Sequence, residues 1–254
     1  YKKKVLIIDA HNMMHIARFG LPDDGNNQIA YNFLRKYKYV KNKFEADEVY
    51  FVVDGAPEHR NNISNQYKAN RKKKDLTPEE VMYWENFKEQ KKLIIKMMRE
   101  YVPCHFAHHP FIEGDDVVYY IAKNIGKDSD VTIVSSDTDF IQVLNELSYV
   151  KLWNPVSQKY RDNTDYDYVS WKSMVGDTSD NIKGVRGIGK VRATKIMKEG
   201  SLISKMSDLS FSKQFNKAYS LIKLRDDLDY FKEMKVENNF LGESQLKNMM
   251  ESLG

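Results

Sequence analysis

Asp137 and Asp139 stand two residues apart at the end of the apolar, β-prone run Val131-Thr132-Ile133-Val134-Ser135-Ser136. Alternate residues of an extended segment share a face, so this spacing aims both carboxylates into one small volume. Carboxylates held that close repel unless a cation or a proton lies between them. Two earlier runs end the same way: Lys4 to Ile8 stops at Asp9, and Val49 to Val53 stops at Asp54. In parallel α/β sheets the ligand crevice lies at the carboxyl ends of the strands, so the three endings are expected to converge on a metal site. Glu113, Asp115 and Asp116 open a later segment. Acids in a first helical turn are ordinarily explained by the helix dipole. Three of them, with Glu113 and Asp116 on one face, exceed what capping requires. Asp177 and Asp180 lie in the turn Asp177-Thr178-Ser179-Asp180-Asn181, where acids usually serve local backbone hydrogen bonds.

The elements that position these residues follow from periodicity. Ala10 to His15 reads as a helix start. Beyond the polar turn at 21–27, Ile29, Phe33, Tyr37, Val40 and Phe44 keep helical spacing before the second strand. That is a βαβ unit, whose right-handed crossover makes the Asp9 and Asp54 strands parallel. Val102 to Ala107 and Tyr149 to Trp153 read as further strands. Val117, Val118, Ile121, Ala122 and Ile125 mark the helix behind Glu113. Cys104, His105, His108 and His109 lack a second partner group for zinc and read as strand and loop residues.

Thr77-Pro78-Glu79-Glu80 carries a capping hydroxyl, Pro at the first helical position and Glu at the capping-box position. No Gly or Pro follows until Pro103, which predicts a helix roughly 35 Å long at 1.5 Å per residue. Directly before it, Gln66 to Lys74 holds five basic residues and no acid, so a basic loop on a protruding lever is expected. Asn181 to Lys198 holds six basic residues and again no acid. Within it, Gly184, Gly187 and Gly189 let backbone N–H groups approach a phosphate, with Lys190 and Arg192 close behind. This suits a helix-hairpin-helix that grips a nucleic-acid backbone without reading bases. From Ser201 onward short polar helices, for example Phe215 to Met234, are expected to serve packing and surface, with no chemistry.

The chain has 254 residues, 30% of them charged, a net charge of +4 and a single Cys, which excludes an internal disulfide. Mean hydropathy is −0.63, and no apolar run approaches the ~18 residues of a membrane span. With the acids drawn into one pocket, the remaining surface is more basic than the total implies and favours a polyanionic partner. The start Tyr-Lys-Lys-Lys leads directly into a strand, so we expect a trimmed first Met, no leader and a reducing cytoplasm.

In its motifs the sequence resembles the 5′ nuclease or flap endonuclease family, in the compact bacteriophage form. These are Ile-Ile-Asp9, Val-Asp54-Gly55, Tyr67-Lys68-x-x-Arg71, Glu113-Gly-Asp115-Asp116, Ser-Ser-Asp137-Thr-Asp139, Gly-Asp177-Thr-Ser-Asp180-Asn181 and the Gly184 to Gly189 hairpin. Many members have Gly where this chain has Ala10 and Thr138. The resemblance implies an α/β core, a twisted and mostly parallel sheet between helices, with a helical arch at about 58–101. It sets a nuclease core at 1–170 and a helix-hairpin-helix with a C-terminal helical region at 171–254. It implies one Mg²⁺ on Asp9, Asp54, Glu113, Asp115 and Asp116, and a second on Asp137, Asp139, Asp177 and Asp180, with Mn²⁺ as a substitute. Lys68 and Arg71 would bring positive charge to the transition state, and Tyr67 would stack on an unpaired terminal base. Lys72, Lys73 and Lys74 and the hairpin residues Gly184, Gly187, Gly189, Lys190 and Arg192 would bind nucleic acid, with K⁺ at the hairpin. The implied partner is DNA with a 5′ flap, nick or frayed 5′ end, extending to RNA–DNA hybrids, and the implied state is a monomer in the cytoplasm, the host's if phage-encoded. With no polymerase domain following, a stand-alone phage or accessory enzyme is expected. The rival readings are a PIN-type ribonuclease and a catalytically silent, structure-specific DNA-binding protein.

Overall fold

A computed structural model describes residues 1–20, 27–71, 75–239, 247–248 and 251. Lys72, Lys73 and Lys74, and residues 21–26 of the polar turn, lie outside the described residues.

Five parallel strands form the centre of the molecule: β1 (Lys3–Asp9), β2 (Glu48–Val53), β3 (Cys104–His108), β4 (Ser129–Val134) and β5 (Val150–Asn154). Antiparallel β6 (Lys159–Tyr160) and β9 (Lys235–Asn239) complete a seven-stranded sheet of order β6-β5-β4-β1-β2-β3-β9. β1 is apolar on both faces because both are covered. Leu6 and Ile8 face a core shared with α1 (Ala10–Ala17), α2 (Gln28–Phe44) and α4 (Pro78–Glu100). Val5 and Ile7 face the opposite core, built on α5 (Gly114–Ile125) and α6 (Ile141–Glu146). Each such Leu or Ile contributes roughly 1.5–3 kcal/mol by leaving water.

The helical spacing read in α2 is the buried face, with Ile29, Phe33, Tyr37 and Val40 all inside. α4 begins with the expected capping box: Glu80 N–H donates to the Thr77 hydroxyl and Thr77 N–H to the Glu80 carboxylate. Its later turns bury Phe87, Ile94, Met97 and Met98, while Val81 and Met82 in its first turns are exposed. The helix is therefore anchored at one end and projects at the other.

The chain then builds a smaller layer. α7 (Tyr168–Val175), the hairpin β7 (Gly176–Asp177) and β8 (Ile182–Lys183), and α8 (Lys190–Lys198) are followed by α9 (Leu202–Lys205) and α10 (Leu209–Ile222). Met174, Val185, Ile188, Ala193, Ile196, Phe211 and Phe215 form its core. Two expectations need correction here. Residues 171–254 do not all belong to this layer, because Leu224 and Phe231 pack in the sheet core and β9 forms the edge of the main sheet beside β3. Nor does one helix run from Phe215 to Met234, since α10 ends at Ile222; its buried Phe211, Phe215, Ala218, Leu221 and Ile222 supply the packing expected of this region. No helix among the described residues is long and apolar enough to cross a membrane.

Candidate metal centre

Strand order changes direction at β1, with β2 and β3 on one side and β4 and β5 on the other. The β1–β4 boundary is thus the switch point where the loops leaving the sheet diverge and open a crevice. Asp9 ends β1, Asp54 follows β2, and Asp137 lies three residues past β4. Asp9 also caps α1, accepting from Asn12 N–H (3.1 Å) and the Ser135 hydroxyl (2.8 Å). Asp54 accepts from Gly114 N–H at 2.5 Å, which holds the start of α5 against β2. A Cβ at position 114 would stand 2.4 Å from that same carboxylate oxygen, so a larger residue there would displace the Asp54 carboxylate.

The alternation argument for Asp137 and Asp139 does not hold. β4 stops at Val134, and Asp137 caps a 3-10 turn, Thr138–Phe140, by accepting from Asp139 N–H at 2.8 Å. The turn keeps the two acids adjacent and gives each its own further neighbours. Asp137 stays with Asp9, Asp54 and Asp115, whereas Asp139 joins Asp177 and Asp180, each offering an oxygen within 4.8 Å of the others.

The first group is electrostatically unsatisfied. Burial, then the charges of Asp54 and Asp137, push the Asp9 carboxyl up to about 7. Burial, then Asp137, Asp9 and Asp54, hold Asp115 well above its ordinary range. Among the described residues, Asp9, Asp115 and Asp137 make no ion pair, and Asp54 has only His11, at 3.7 Å. The second group is already provided with cations. Lys172, buried in α7, pairs with Asp139 and lies 2.6 Å from Asp177. Burial and Asp137 still raise Asp139 to about 6. Asp177 falls to about 2, because bonds from Lys172 and Ser179 outweigh its burial. Arg71 pairs with Asp180, and Lys68 stands 3.8 Å from it.

Three of the expected roles change. Tyr67 is 7% exposed, packs with Val169, Ile182, Ala218, Leu221 and Ile222, and donates its hydroxyl at 3.2 Å to Glu113 or Asp180. It has no free face for a base. Asp116 is bound to the Arg60 guanidinium at 2.5 and 3.0 Å and accepts from Arg225 N–H at 2.8 Å. At 1% exposure it is the counter-ion of a buried arginine, set apart from the other acids. Glu113 is likewise filled with protein donors, accepting from Arg60 (2.7 Å), Lys68 and Tyr67. Arg60 and Lys172 were not singled out by sequence. Arg60 is one base in an unpatterned connector, and only Lys172's position among the buried residues of α7 marks it.

All these donors are carboxylate oxygens, and Asp9, Asp54, Asp115 and Asp137 repel one another, so the residues fit a hard divalent cation. Beside them a cleft of about 610 Å³ is lined by Arg71, Asp137, Asp139, Lys172, Asp177, Asp180 and Lys190. Lys190 opens α8 directly after the hairpin loop, with Arg192 exposed two residues further on. In the loop, Gly187 has φ +77°, and a Cβ on Gly184 would lie 2.3 Å from the Met174 carbonyl oxygen.

A mostly parallel α/β sheet with carboxylates gathered at its switch point is the class of fold that offers a divalent cation a crevice at the strand ends. Residues 4–173 match the model of the 5′-3′ exonuclease, N-terminal resolvase-like domain, and the chain belongs to that family. It is 26% identical over 254 residues to DNA polymerase I of Bacillus subtilis, covering 92% of this chain and 27% of that protein. The chain therefore spans about a quarter of the length of the polymerases it matches. It is 26% identical to the 5′-3′ exonuclease of the same organism, covering 77% of this chain and 66% of that protein. The fold is that of the bacteriophage T5 flap endonuclease, whose structure as a pseudo-enzyme-product complex contains DNA and metal ions. The TM-score is 0.76 at 21% identity, covering 99% of this chain and 98% of the other.

Proposed function

We propose that this protein is a structure-specific 5′ nuclease that hydrolyses DNA phosphodiester bonds at or near a 5′ end, as a 5′→3′ exonuclease and a 5′-flap endonuclease. The observation that carries this reading is that the acidic pocket shares its lining with cations: Lys68 and Arg71 pair with its acids, and Arg71 and Lys190 line the same cleft as Asp137, Asp139, Asp177 and Asp180. A pocket of bare carboxylates repels a polyanion, so a protein that only bound DNA gains nothing from placing one there. Asp9, Asp54, Asp115 and Asp137 would hold one Mg²⁺, and Asp139, Asp177 and Asp180 a second, with Mn²⁺ able to replace it. When bound, the two ions supply activation of a water and stabilisation of the leaving oxygen.

The chain's own residues do the rest. Lys68 and Arg71 hold positive charge beside the pocket, where charge grows on the phosphate in the transition state. Lys172 keeps Asp139 and Asp177 together against their repulsion. The N–H groups around Gly184, Gly187 and Gly189, with Lys190 and Arg192, grip the duplex backbone, with K⁺ at the hairpin, so sequence preference is weak. The substrate is a 5′ flap, nick or frayed 5′ end, and RNA–DNA hybrids are included. The protein acts as a monomer in the cytoplasm, a host's if it is phage-encoded, in replication or primer removal. The DNA and metal ions in the T5 complex support the reading.

The test is digestion of end-labelled flap, nicked, blunt and hybrid substrates with and without Mg²⁺. Mg²⁺-dependent release of short 5′ products is expected. Binding without cleavage at any Mg²⁺ concentration would leave a DNA-binding protein and reject the enzyme.

A further inference from the structure

Arg60 meets four parts of the molecule at once. It projects from α3 (Glu58–Ile63), its side chain is 4% exposed, and its guanidinium holds Asp116 and Glu113 on α5. The same group donates to the carbonyl oxygens of Leu221 (2.7 Å) and Lys223 (3.2 Å) at the exit of α10. That exit is pinned again where Gln142 bonds the Ile222 carbonyl (3.1 Å) and Leu224 N–H (2.8 Å). Asp116 alone nearly neutralises Arg60, so the bond to Glu113 is not needed for charge. What that bond does is orient Glu113, whose other oxygen accepts the Lys68 ammonium.

Lys68 is constrained by its backbone as well. Its φ is +54°, a left-handed conformation that is unfavourable for a residue with a side chain. Its N–H donates to the Asp180 carbonyl at 2.9 Å. A strained residue persists where its surroundings over-determine it, and strain of this kind gathers at functional sites. The side chain has four rotatable bonds, and its one close hydrogen bond is to Glu113, with the Asp180 carboxylate farther off at 3.8 Å and the Tyr67 ring beneath the ammonium at 5.0 Å.

We propose that Arg60 is a positioning residue: acting through Glu113, it places the Lys68 ammonium at the pocket. Glu113 serves the same purpose and is not needed to hold a cation. The inference rests on the reading that Lys68 serves the reaction.

The experiment combines single-turnover cleavage of one 5′-flap oligonucleotide with Mn²⁺ binding followed by electron paramagnetic resonance in the absence of DNA. The proteins are wild type, Arg60→Lys, Glu113→Gln, Lys68→Ala and the pairs that join each of the first two to Lys68→Ala. Arg60→Lys and Glu113→Gln should each slow cleavage about tenfold or more, because a mispositioned group loses most of its effect. Mn²⁺ stoichiometry and affinity should match wild type. Each pair should be no slower than Lys68→Ala alone, since residues that act as a unit are not additive. Additive losses, or weaker Mn²⁺ binding in either single variant, overturn the inference. Should Arg60→Lys fail to melt cooperatively, the isosteric Glu113→Gln pair decides. A wild-type protein that does not cleave, or Lys68→Ala at the wild-type rate, rejects instead the reading on which the inference rests.

Discussion

Asp9 and Asp115 show what the metal-free pocket costs. A carboxyl whose folded pKa lies above its unfolded one is favourable to the fold while protonated. That contribution is present below the unfolded value, and is lost as pH rises through the folded value. For Asp9 the window runs from its ordinary value of 3.8 to about 7. Metal-free protein should therefore lose thermal stability between about pH 5 and pH 8, and Mg²⁺ should raise Tm more at pH 8 than at pH 5.5. Scanning calorimetry with EDTA or Mg²⁺ at the two pH values measures this, and equal Mg²⁺ shifts would show that these acids do not share a cation. Asp137→Ala should abolish cleavage while leaving DNA binding intact or tighter, because it removes a ligand and also lessens repulsion of phosphate. Cys104 is a separate case. Burial raises its thiol to about 12, and its S–H donates to the Met98 carbonyl at 3.3 Å. Thiol reagents should react with the folded protein only as fast as it opens, so labelling rate followed against urea reports unfolding.

At the scale of elements, the hairpin and α8 should behave unlike the acids. Lys190 and Arg192 are exposed on the first turn of α8. Lys190→Ala with Arg192→Ala should weaken duplex binding alike for unrelated sequences. It should also flatten the plot of log K against log salt by about one unit for each phosphate that is no longer neutralised. An affinity loss confined to some sequences would mean that the hairpin reads bases. The packing beneath it is tight enough to test by adding one carbon. A Cβ on Gly184 would meet Met174 O at 2.3 Å and Gly176 N at 2.5 Å, both main-chain atoms unable to give way. Gly184→Ala should therefore lower Tm and impair duplex binding together, with Mn²⁺ binding at Asp9 and Asp115 retained.

On the scale of the whole molecule, three features would set the direction of the proposed cleavage. The first turns of α4 are exposed, and Arg71 and Lys190 both line the cleft beside the acids. A duplex held at the hairpin can send only one strand past α4 to the acids, and a free end makes that passage simple. The same oligonucleotide presented as a 5′ flap, as a 3′ flap and as a closed single-stranded circle should be cleaved fastest as the 5′ flap at fixed Mg²⁺ and salt. Equal rates on all three would falsify the gated reading and leave a generic two-cation nuclease.

The sequence by itself determined the parallel sheet, the strand endings at Asp9 and Asp54, the capped helix from Pro78 and the basic hairpin. Each of these is a local pattern of apolar period, capping chemistry or charge that the fold has to obey. It also marked the acids as a set, because nine carboxylates at element ends are visible without coordinates. Which acids are free to meet a cation was decided only by the tertiary structure. Asp115 and Asp116 are neighbours in sequence, yet helix geometry turns one toward Asp9 and Asp137 and the other onto Arg60. Asp137 and Asp139 line one cleft, but they reach it through a 3-10 turn and not through the extended chain that alternation assumes. Tyr67 lost its expected stacking role to burial beneath α10, and Lys172 gained one by lying between Asp139 and Asp177. These assignments depend on interactions between residues far apart in the chain, such as the 161 positions between Arg60 and Leu221, which no local pattern encodes.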